Sequence, residues 1–211
     1  MLVNEIFRSI QGESTFAGLP CTFIRLTGCN LRCKWCDTVY AYEEGREMSI
    51  DEIQADISRF PLDLVQITGG EPLMQEETPG LCQALLNSGA TVLVETNGSY
   101  DISLLPPGTV RIVDIKCPAS GEEQSTDWKN IARLEATDEV KFVIADRGDF
   151  EWAVRVVREH HLLNKCTVLF SPVFGTMEAQ KLAHWILQTN LAIRLQLQLH
   201  KYIWSPDRRG V

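Results

Sequence analysis

Three cysteines lie within eight residues in the stretch GCNLRCKWCDT, at positions 28–38. Cys29, Cys33 and Cys36 are separated by three residues and then by two. A loop that also carries Gly, Asn, Lys and Arg is an unusual place for thiols that only fill a core, so this spacing favours a metal centre. A structural zinc site takes four ligands, usually as two Cys or His pairs, and the sequence has no second pair.

The count of three thiols favours an iron–sulfur cluster over zinc. A cubane 4Fe–4S cluster normally takes four thiolates, one on each iron. Three thiolates leave one iron free for a substrate or cofactor, much as catalytic zinc keeps one open position. The chain has seven cysteines, an odd number that favours free thiols or metal ligands over disulfides. Cys21, Cys82 and Cys166 fall in predicted strands or helices, and we expect them to be core residues.

Short apolar segments alternate with amphipathic ones along the chain. The apolar segments predict strands over 21–26, 64–68, 91–95, 110–115, 139–144, 166–170 and 192–198. The amphipathic segments predict helices over 49–60, 79–89, 148–161 and 176–189. Ser49 and Glu52 form a capping box at the start of the first helix.

This alternation predicts a parallel sheet, either a partial (β/α) barrel or an open doubly wound sheet, within a single domain over 1–211. Ligand groups in such sheets follow the carboxyl ends of the strands. Distinctive motifs do follow them: ITGGEP (67–72), ETNG (95–98), DIKCP (114–118), SPVF (171–174) and LHKY (199–202). The glycines of GGEP would allow a ligand to approach the backbone closely, although each motif is also compatible with an ordinary turn.

The composition narrows the classes of partner. The net charge of −8 argues against a protein that binds nucleic acid through a basic face. No apolar run is long enough to cross a bilayer, and the first residues lack the apolar segment of a signal peptide. We therefore expect a cytoplasmic protein without nucleic-acid or membrane partners.

The Cys-x3-Cys-x2-Cys loop after a strand, followed by GGE at 69–71, resembles the radical S-adenosylmethionine superfamily. The resemblance implies a partial (β/α) TIM-like barrel and a 4Fe–4S cluster on Cys29, Cys33 and Cys36. It also implies that S-adenosylmethionine binds the open iron and yields a 5′-deoxyadenosyl radical that abstracts a substrate hydrogen atom. The residues implied to contact S-adenosylmethionine are Trp35, Asp37, Gly69, Gly70, Glu71, Asn97, Lys116, Cys117, Pro118, Ser171, Pro172, Val173 and Phe174.

The stretch SIQGES (9–14), together with FIRL (23–26) and the late LQLHKY (197–202), is similar to the 7-carboxy-7-deazaguanine synthase subfamily. That similarity implies conversion of 6-carboxy-5,6,7,8-tetrahydropterin to 7-carboxy-7-deazaguanine with loss of ammonia, for queuosine or another 7-deazapurine. It implies Thr38 as a Mg²⁺ ligand. The residues implied to hold the pterin are Ile10, Gln11, Gly12, Glu13, Arg25, Thr68, His200 and Val211.

Some of these positions have a second interpretation. Arg25 in an apolar strand needs a partner, which is either the substrate carboxylate or an ordinary salt bridge. Ser14 replaces a glycine that is common in the subfamily, which would alter the turn. The tail at 205–211 either reaches the substrate through Val211 or frays. His160 and His161 are expected to be surface residues near a helix end.

Two other functional classes remain open from the sequence. A glycyl-radical activase would share the cysteine spacing and GGEP, but it has no evident need for QGE or Arg25. A zinc or cluster module without catalysis would have no use for the motifs at the strand ends. The subfamily further implies a homodimer and an electron donor such as flavodoxin, which could dock at a basic patch of Arg32, Lys34 and Arg46.

Overall fold

The computed structural model describes residues 1–60 and 63–211. Within them, one sheet of nine strands forms the frame of the protein. The strands are β1 (Leu2–Ile10), β2 (Pro20–Leu26), β3 (Arg46–Glu47), β4 (Leu64–Gly69), β5 (Thr91–Thr96), β6 (Val110–Asp114), β7 (Glu139–Ile144), β8 (Thr167–Pro172) and β9 (Arg194–Leu195).

The strand order is β3-β1-β2-β4-β5-β6-β7-β8-β9. From β2 to β9 all neighbouring strands are parallel, whereas β1 pairs antiparallel with both β2 and β3. In this order β3 and β9 are the two edges, so the sheet is open, as expected for a partial barrel. The carboxyl ends of β2 and β4 to β9 consequently meet at one rim.

Five α-helices are present in the described residues: α1 (Ile50–Ile57), α2 (Thr78–Asn87), α3 (Arg147–Glu159), α4 (Ala179–Thr189) and α5 (His200–Ile203). The first four confirm the predicted helices. The predicted capping box is also confirmed, because Glu52 N donates to Ser49 Oγ at 3.2 Å and Ser49 N donates to Glu52 Oε2 at 2.7 Å. None of these helices is long and apolar enough to span a bilayer.

The helices α1 to α4 share one continuous core with a single face of the sheet. Fully buried side chains from the helices, such as Ile53, Leu81 and Leu182, pack there with strand residues such as Ile67 and Phe142. A doubly wound sheet would carry helices on both faces. The one-sided arrangement therefore supports the partial barrel and leaves the other face free to line a cavity.

The inner face of the sheet changes character along its strands. Near the amino ends a small apolar cluster contains Phe23, Leu93 and Ile112, and the ring of Phe7 stacks on Phe23 at a centroid distance of 5.0 Å. Side chains on one face of a strand recur at every second residue. The next inward positions after these apolar residues are Arg25 on β2, Glu95 on β5 and Asp114 on β6, so this face becomes polar towards the carboxyl rim.

Two expectations about the ends of the chain were wrong. The antiparallel strand β1 was not predicted, because its residues are mostly half-exposed and polar ones interrupt the apolar pattern. The predicted strand at 192–198 is reduced to Arg194–Leu195, since β9 lies at the edge and pairs only with β8. His200 accordingly begins the short helix α5 instead of directly following a long strand.

Candidate functional site

One cavity of about 750 Å³ opens at the carboxyl rim of the sheet, a size typical of ligand pockets. Most of the predicted site residues line it, although they come from distant parts of the chain. The lining residues among those predicted are Ile10, Gln11, Gly12, Glu13, Arg25, Cys29, Cys33, Trp35, Cys36, Asp37, Thr38, Thr68, Gly69, Gly70, Asn97, Lys116, Val173, Phe174, His200 and Val211.

Backbone hydrogen bonds hold the cysteine loop against the rim. Gly28 N donates to Ala41 O at 2.8 Å, and Glu71 N donates to Gly28 O at 2.7 Å. Lys34 N donates to Ser120 O at 3.1 Å, which ties the loop to the segment after β6. All three thiols of the loop are half-buried and line the same cavity.

The three thiols fit a 4Fe–4S cluster. Burial raises the pKa of the Cys29 thiol and raises that of Cys33 to about 11, so iron binding must displace their protons. Leu31 N lies 3.4 Å from Cys29 Sγ as a donor, the kind of contact that stabilises a cluster thiolate. Within the described part of the chain, no three His, Cys, Asp or Glu side chains converge on one ion position. A cubane needs no such convergence, because each thiolate binds a different iron.

Gly69 and Gly70 let the end of β4 lie directly against the cysteine loop. Gly69 has φ +138°, and a Cβ there would lie 2.1 Å from Leu26 O. A Cβ on Gly70 would lie 1.9 Å from Gly28 O. The close approach expected from these glycines is therefore an approach of the protein's own backbone, which brings the GGE segment and the cysteine loop to one wall of the cavity.

Glu71 does not line the cavity, whereas its neighbours Gly69 and Gly70 do. The side chain is fully buried, and burial raises its pKa. Its carboxylate accepts hydrogen bonds from Thr96 Oγ1 at 2.7 Å, Asn97 N at 2.6 Å and Leu73 N at 3.0 Å. Glu71 thus holds the turn after β5 in place and presents Asn97 to the cavity.

Four further predicted contacts with S-adenosylmethionine also lie outside the lining: Cys117, Pro118, Ser171 and Pro172. Cys117 belongs to the helix-side core, and Ser171 is only 1% exposed. Successive side chains of an extended segment point to opposite sides. For this reason Lys116 and Val173 line the cavity, whereas their neighbours Cys117 and Pro172 do not.

The QGE loop, residues Gln11 to Glu13, connects β1 to β2 and packs against the C-terminal segment. Leu199 N donates to Gly12 O at 3.0 Å, and a Cβ on Gly12 would lie 2.2 Å from His200 Nδ1. Burial acts to raise the pKa of Glu13, but Lys141, His200 and Gln198 outweigh it and hold that pKa below its ordinary value. Ser14 adopts φ +67°, a left-handed conformation that glycine adopts at less cost.

Arg25 has the salt bridge that the sequence left open, and it also lines the cavity. Its Nε donates to Glu5 Oε1 at 2.8 Å, and Tyr40 OH donates to the same oxygen at 3.0 Å. The guanidinium carbon lies 5.8 Å from the ring centroids of both Phe7 and Tyr40. Because the pair with Glu5 uses Nε, the two terminal nitrogens of Arg25 have no hydrogen-bond partner among the described residues.

Asp37 and Thr38 follow directly after the last cysteine of the loop. Thr38 Oγ1 donates to Asp37 Oδ1 at 2.9 Å, and Lys201 on α5 forms an ion pair with the other oxygen of Asp37. Burial acts to raise the pKa of Asp37, but Lys201 and Thr38 hold it well below its usual range. The carboxylate of Asp37 therefore joins the cysteine loop to the C-terminal segment.

The C-terminal tail folds over the mouth of the cavity, where residues from Pro206 to Val211 contribute to the lining. Arg209 NH1 lies 2.8 Å from Glu44 Oε2, and the guanidinium carbon stacks 3.8 Å from the ring centroid of Tyr40. Val211 is among these lining residues, and its contact with the substrate stays a prediction.

Three charged strand residues of the lining were missed from the sequence: Glu95, Asp114 and Lys141. Glu95 and Asp114 occupy inward positions near the ends of β5 and β6, and Lys141 lies near the middle of β7. Lys141 is only 4% exposed, and its ammonium contacts both of these carboxylates. Like Arg25, each of the three is a charge in a mostly apolar strand and needs a partner, and this signal in the sequence points to all three.

Residues 23–184 match the Radical SAM superfamily. Over the whole chain, the protein is 49% identical to a 7-carboxy-7-deazaguanine synthase of Koribacter versatilis, covering 100% of both. It is 46% identical to that of Chlorobaculum tepidum, covering 99% of this chain and 96% of the relative. The crystal structure of QueE from Escherichia coli superposes with a TM-score of 0.78 at 24% identity, covering 92% of this chain and 93% of that one, and supports the fold. The chain therefore belongs to the radical S-adenosylmethionine superfamily and, within it, to the 7-carboxy-7-deazaguanine synthase family.

Proposed function

We propose that this protein converts 6-carboxy-5,6,7,8-tetrahydropterin to 7-carboxy-7-deazaguanine with loss of ammonia. Membership of the superfamily implies a 4Fe–4S cluster and S-adenosylmethionine as cofactors. The observation that carries the proposal is that the QGE loop and Arg25 line the same cavity as the three cysteines of the loop. A carboxylate, an amide and a guanidinium match the amine, amide and carboxylate groups of a carboxypterin.

Cys29, Cys33 and Cys36 would hold the cluster, which together with S-adenosylmethionine would supply a radical able to abstract a hydrogen atom from the substrate. The protein's own residues bind and orient the pterin. Glu13 and Gln11 offer acceptors and donors to the edge of the pterin ring. The two terminal nitrogens of Arg25 suit a bidentate pair with the substrate carboxylate. Thr68, His200 and Val211 complete the wall around the ring, and the folded tail excludes water from it.

We propose Thr38 as a ligand of Mg²⁺ beside the substrate carboxylate. In support, Thr38 lines the cavity two residues after Cys36. Mg²⁺ prefers hard oxygen ligands and keeps several waters, so a single protein hydroxyl together with a substrate oxygen is an acceptable set. Turnover should then fall on removal of Mg²⁺ and recover when Mg²⁺, but not Na⁺, is restored.

We also propose that residues 1–211 form a single domain, which the one continuous sheet supports. A homodimer, a cytoplasmic location, a role in queuosine formation and a flavodoxin-like donor are proposed from the family. Arg32 and Lys34 are exposed beside Cys33 and suit an acidic donor. Arg46 pairs with Asp56 at 3.4 Å, so it is a weaker member of the proposed patch.

The QGE loop and Arg25 also weigh against the glycyl-radical activase considered from the sequence. An activase has to admit a loop of a partner protein. Here the tail covers the mouth of the cavity, and the guanidinium of Arg25, whose terminal nitrogens have no hydrogen-bond partner in the described part of the chain, suits a small carboxylated substrate. The proposed function therefore concerns a small molecule.

The test is an anaerobic turnover assay with cluster-loaded protein, S-adenosylmethionine, reductant and the carboxytetrahydropterin. The wild type should release 7-carboxy-7-deazaguanine and one ammonia per product. Cys33→Ser should lose iron and activity, whereas the matched variant Cys166→Ser should keep both, because Cys166 lies outside the cavity lining. Iron-loaded wild type that forms no deazapurine would refute the proposal.

A further inference from the structure

The inner wall of the cavity contains one ammonium surrounded by three carboxylates. Lys141, near the middle of β7, places Nζ 2.9 Å from Glu13 Oε2 and 3.3 Å from Asp114 Oδ2, and it also bonds to Glu95 Oε1. These carboxylates come from the QGE loop, β6 and β5. Asp114 and Lys141 are direct partners in the register of β6 and β7, so the backbone determines their proximity.

The ammonium of Lys141 is committed to carboxylates of the protein. Two of its three N–H donors form hydrogen bonds to Glu13 Oε2 and Glu95 Oε1, and Asp114 Oδ2 adds an ion pair at 3.3 Å. Because Lys141 is also almost fully buried, it is suited to act on a ligand through the carboxylates that it holds.

The carboxylates, by contrast, belong to a network that extends across the rim. Glu95 Oε2 accepts from Gln66 Nε2 at 3.0 Å and from Thr68 Oγ1 at 3.4 Å, while Glu13 Oε1 accepts from Gln198 Nε2 at 3.0 Å. Oδ1 of Asp114 is buried and has no hydrogen-bond partner among the described residues. Lys141 thus connects the QGE loop to the ends of β4, β5 and β6.

We propose that Lys141 is a positioning residue, whose ammonium fixes the carboxylates of Glu13 and Glu95 for the N–H groups of the bound pterin. The inference rests on the proposed function for the identity of the ligand. It goes beyond that function because it assigns a role to a side chain that does not itself bind the substrate.

The physical reason is the balance of charge around one point. Glu13 and Glu95 pair with no other cation among the described residues, so they repel each other strongly once the ammonium of Lys141 is removed, whereas Asp114 keeps its ion pair with Lys116 at 3.0 Å. A carboxylate in this position either rotates away or takes up a proton, and both changes remove an acceptor from the pterin. The charged and titratable groups that face this cluster are Glu13 on the QGE loop, Asp37 on the cysteine loop, Glu95 on β5, Asp114 at the end of β6, Lys116 after β6, and His200 on α5.

The experiment compares Lys141→Met with Arg111→Met. Methionine keeps an unbranched side chain but removes the charge. Arg111 is a matched control, because it is also a buried cation, paired with Asp138 at 2.7 Å, but does not line the cavity. The measurement is the Kd of carboxytetrahydropterin for cluster-loaded protein without reductant, from about pH 5.5 to about pH 8.5, together with the Kd of S-adenosylmethionine.

Lys141→Met should raise the pterin Kd by at least about tenfold at neutral pH, the size of one lost charge-assisted hydrogen bond. The Kd should rise further as the pH falls, because Glu13 without Lys141 is protonated at a higher pH. The Kd of S-adenosylmethionine should change by less than about threefold, since the other rim residues are unaltered. Arg111→Met should lower thermal stability and leave the pterin Kd unchanged.

A second variant covers the case in which Lys141→Met does not fold. Lys141→Met/Glu95→Gln removes one positive and one negative charge together, which relieves the buried repulsion. Its Kd for the pterin should also rise as the pH falls, as in Lys141→Met. Folded protein of either variant with the wild-type Kd and pH profile would overturn the positioning role. Wild type that binds the pterin but forms no deazapurine overturns only the proposed reaction, and wild type that does not bind the pterin overturns both.

Discussion

At the scale of single residues, Gly69 at the end of β4 and Gly70 directly after it determine whether the cysteine loop can lie where a cluster needs it. Both lie in contact with backbone atoms of the loop and of β2, and backbone cannot move away as a flexible side chain can. Glycine is therefore needed at these two positions because there is no room for a Cβ, and not only because glycine adopts more backbone conformations.

We predict that Gly70→Ala destabilises the protein by about 1–3 kcal/mol or more and reduces iron binding, because the new Cβ would lie 1.9 Å from Gly28 O. Urea unfolding and iron content per chain measure the two effects. Gly80→Ala is the matched control: its Cβ would lie 3.4 Å from Ile50 Cδ1, and alanine in helix α2 should preserve stability or raise it by up to about 1 kcal/mol. Equal behaviour of the two variants would contradict the packing role of Gly70.

A second prediction concerns His200, whose pKa lies below the ordinary value of 6.5 because the ring is buried against the QGE loop. As the pH falls below about 6.5, the unfolded chain binds a proton that the folded protein does not, so the free energy of unfolding decreases. His200→Gln should therefore show a smaller loss of stability between about pH 7 and about pH 5.5. His184→Gln, at an exposed site on α4, should keep the wild-type slope, and a common slope in all three proteins would refute the prediction.

At the scale of elements, the inner face of the sheet and the C-terminal tail form different parts of the cavity. The strands supply charged side chains at their last inward positions, and the tail closes the mouth through Arg209. Arg209 stacks on Tyr40, Tyr40 bonds to Glu5, and Glu5 pairs with Arg25. The tail is therefore coupled to the residue that we propose binds the substrate carboxylate.

Deleting Asp207–Val211 should raise the KM for the pterin by about tenfold, because Tyr40, Glu5 and Arg25 lose their cover. The melting temperature should fall by no more than about 2–4 °C, since an exposed ion pair such as Arg209–Glu44 contributes at most about 1 kcal/mol. Arg147→Ala breaks a similar exposed pair with Glu151 away from the cavity. Arg147→Ala should lower the melting temperature by a similarly small amount without affecting the KM for the pterin. An unchanged KM in the truncated protein would contradict the coupling of the tail to Arg25.

At the scale of the whole molecule, cofactor binding and stability are linked through the cavity. Residues from the QGE loop, six strands and the C-terminal segment line it, so a ligand that fills it bonds to most of the sheet at once. Any ligand that binds only the folded state adds its binding free energy to the stability of that state.

Saturating S-adenosylmethionine should therefore raise the melting temperature of cluster-loaded protein. A concentration of about one hundred times Kd adds about 2.7 kcal/mol, which corresponds to about 5–10 °C for a chain of this length. Cluster-free protein should show a much smaller shift, because the open iron is the anchor that the family implies. Anaerobic thermal scans of cluster-loaded and cluster-free protein measure the two shifts in melting temperature. Equal shifts would contradict the binding of S-adenosylmethionine to the open iron.

Much of this protein was predictable from local patterns in the sequence. Six of the seven predicted strands and all four predicted helices are present, because an apolar run or an amphipathic repeat depends only on near neighbours. The cysteine spacing predicted the cluster loop for the same reason, since its three thiols lie within eight consecutive residues. The motifs after the strands predicted the rim, because parallel strands bring their carboxyl ends together.

The tertiary structure decided which of those residues face the cavity. Glu71 points into the core and Asn97 into the cavity, although both follow strands with equally polar motifs. Lys141 meets Glu13 from 128 residues away, and no local pattern records such a pairing. Contacts of this kind depend on strand register and on the inward or outward direction of alternate side chains, which are settled only when the whole sheet assembles.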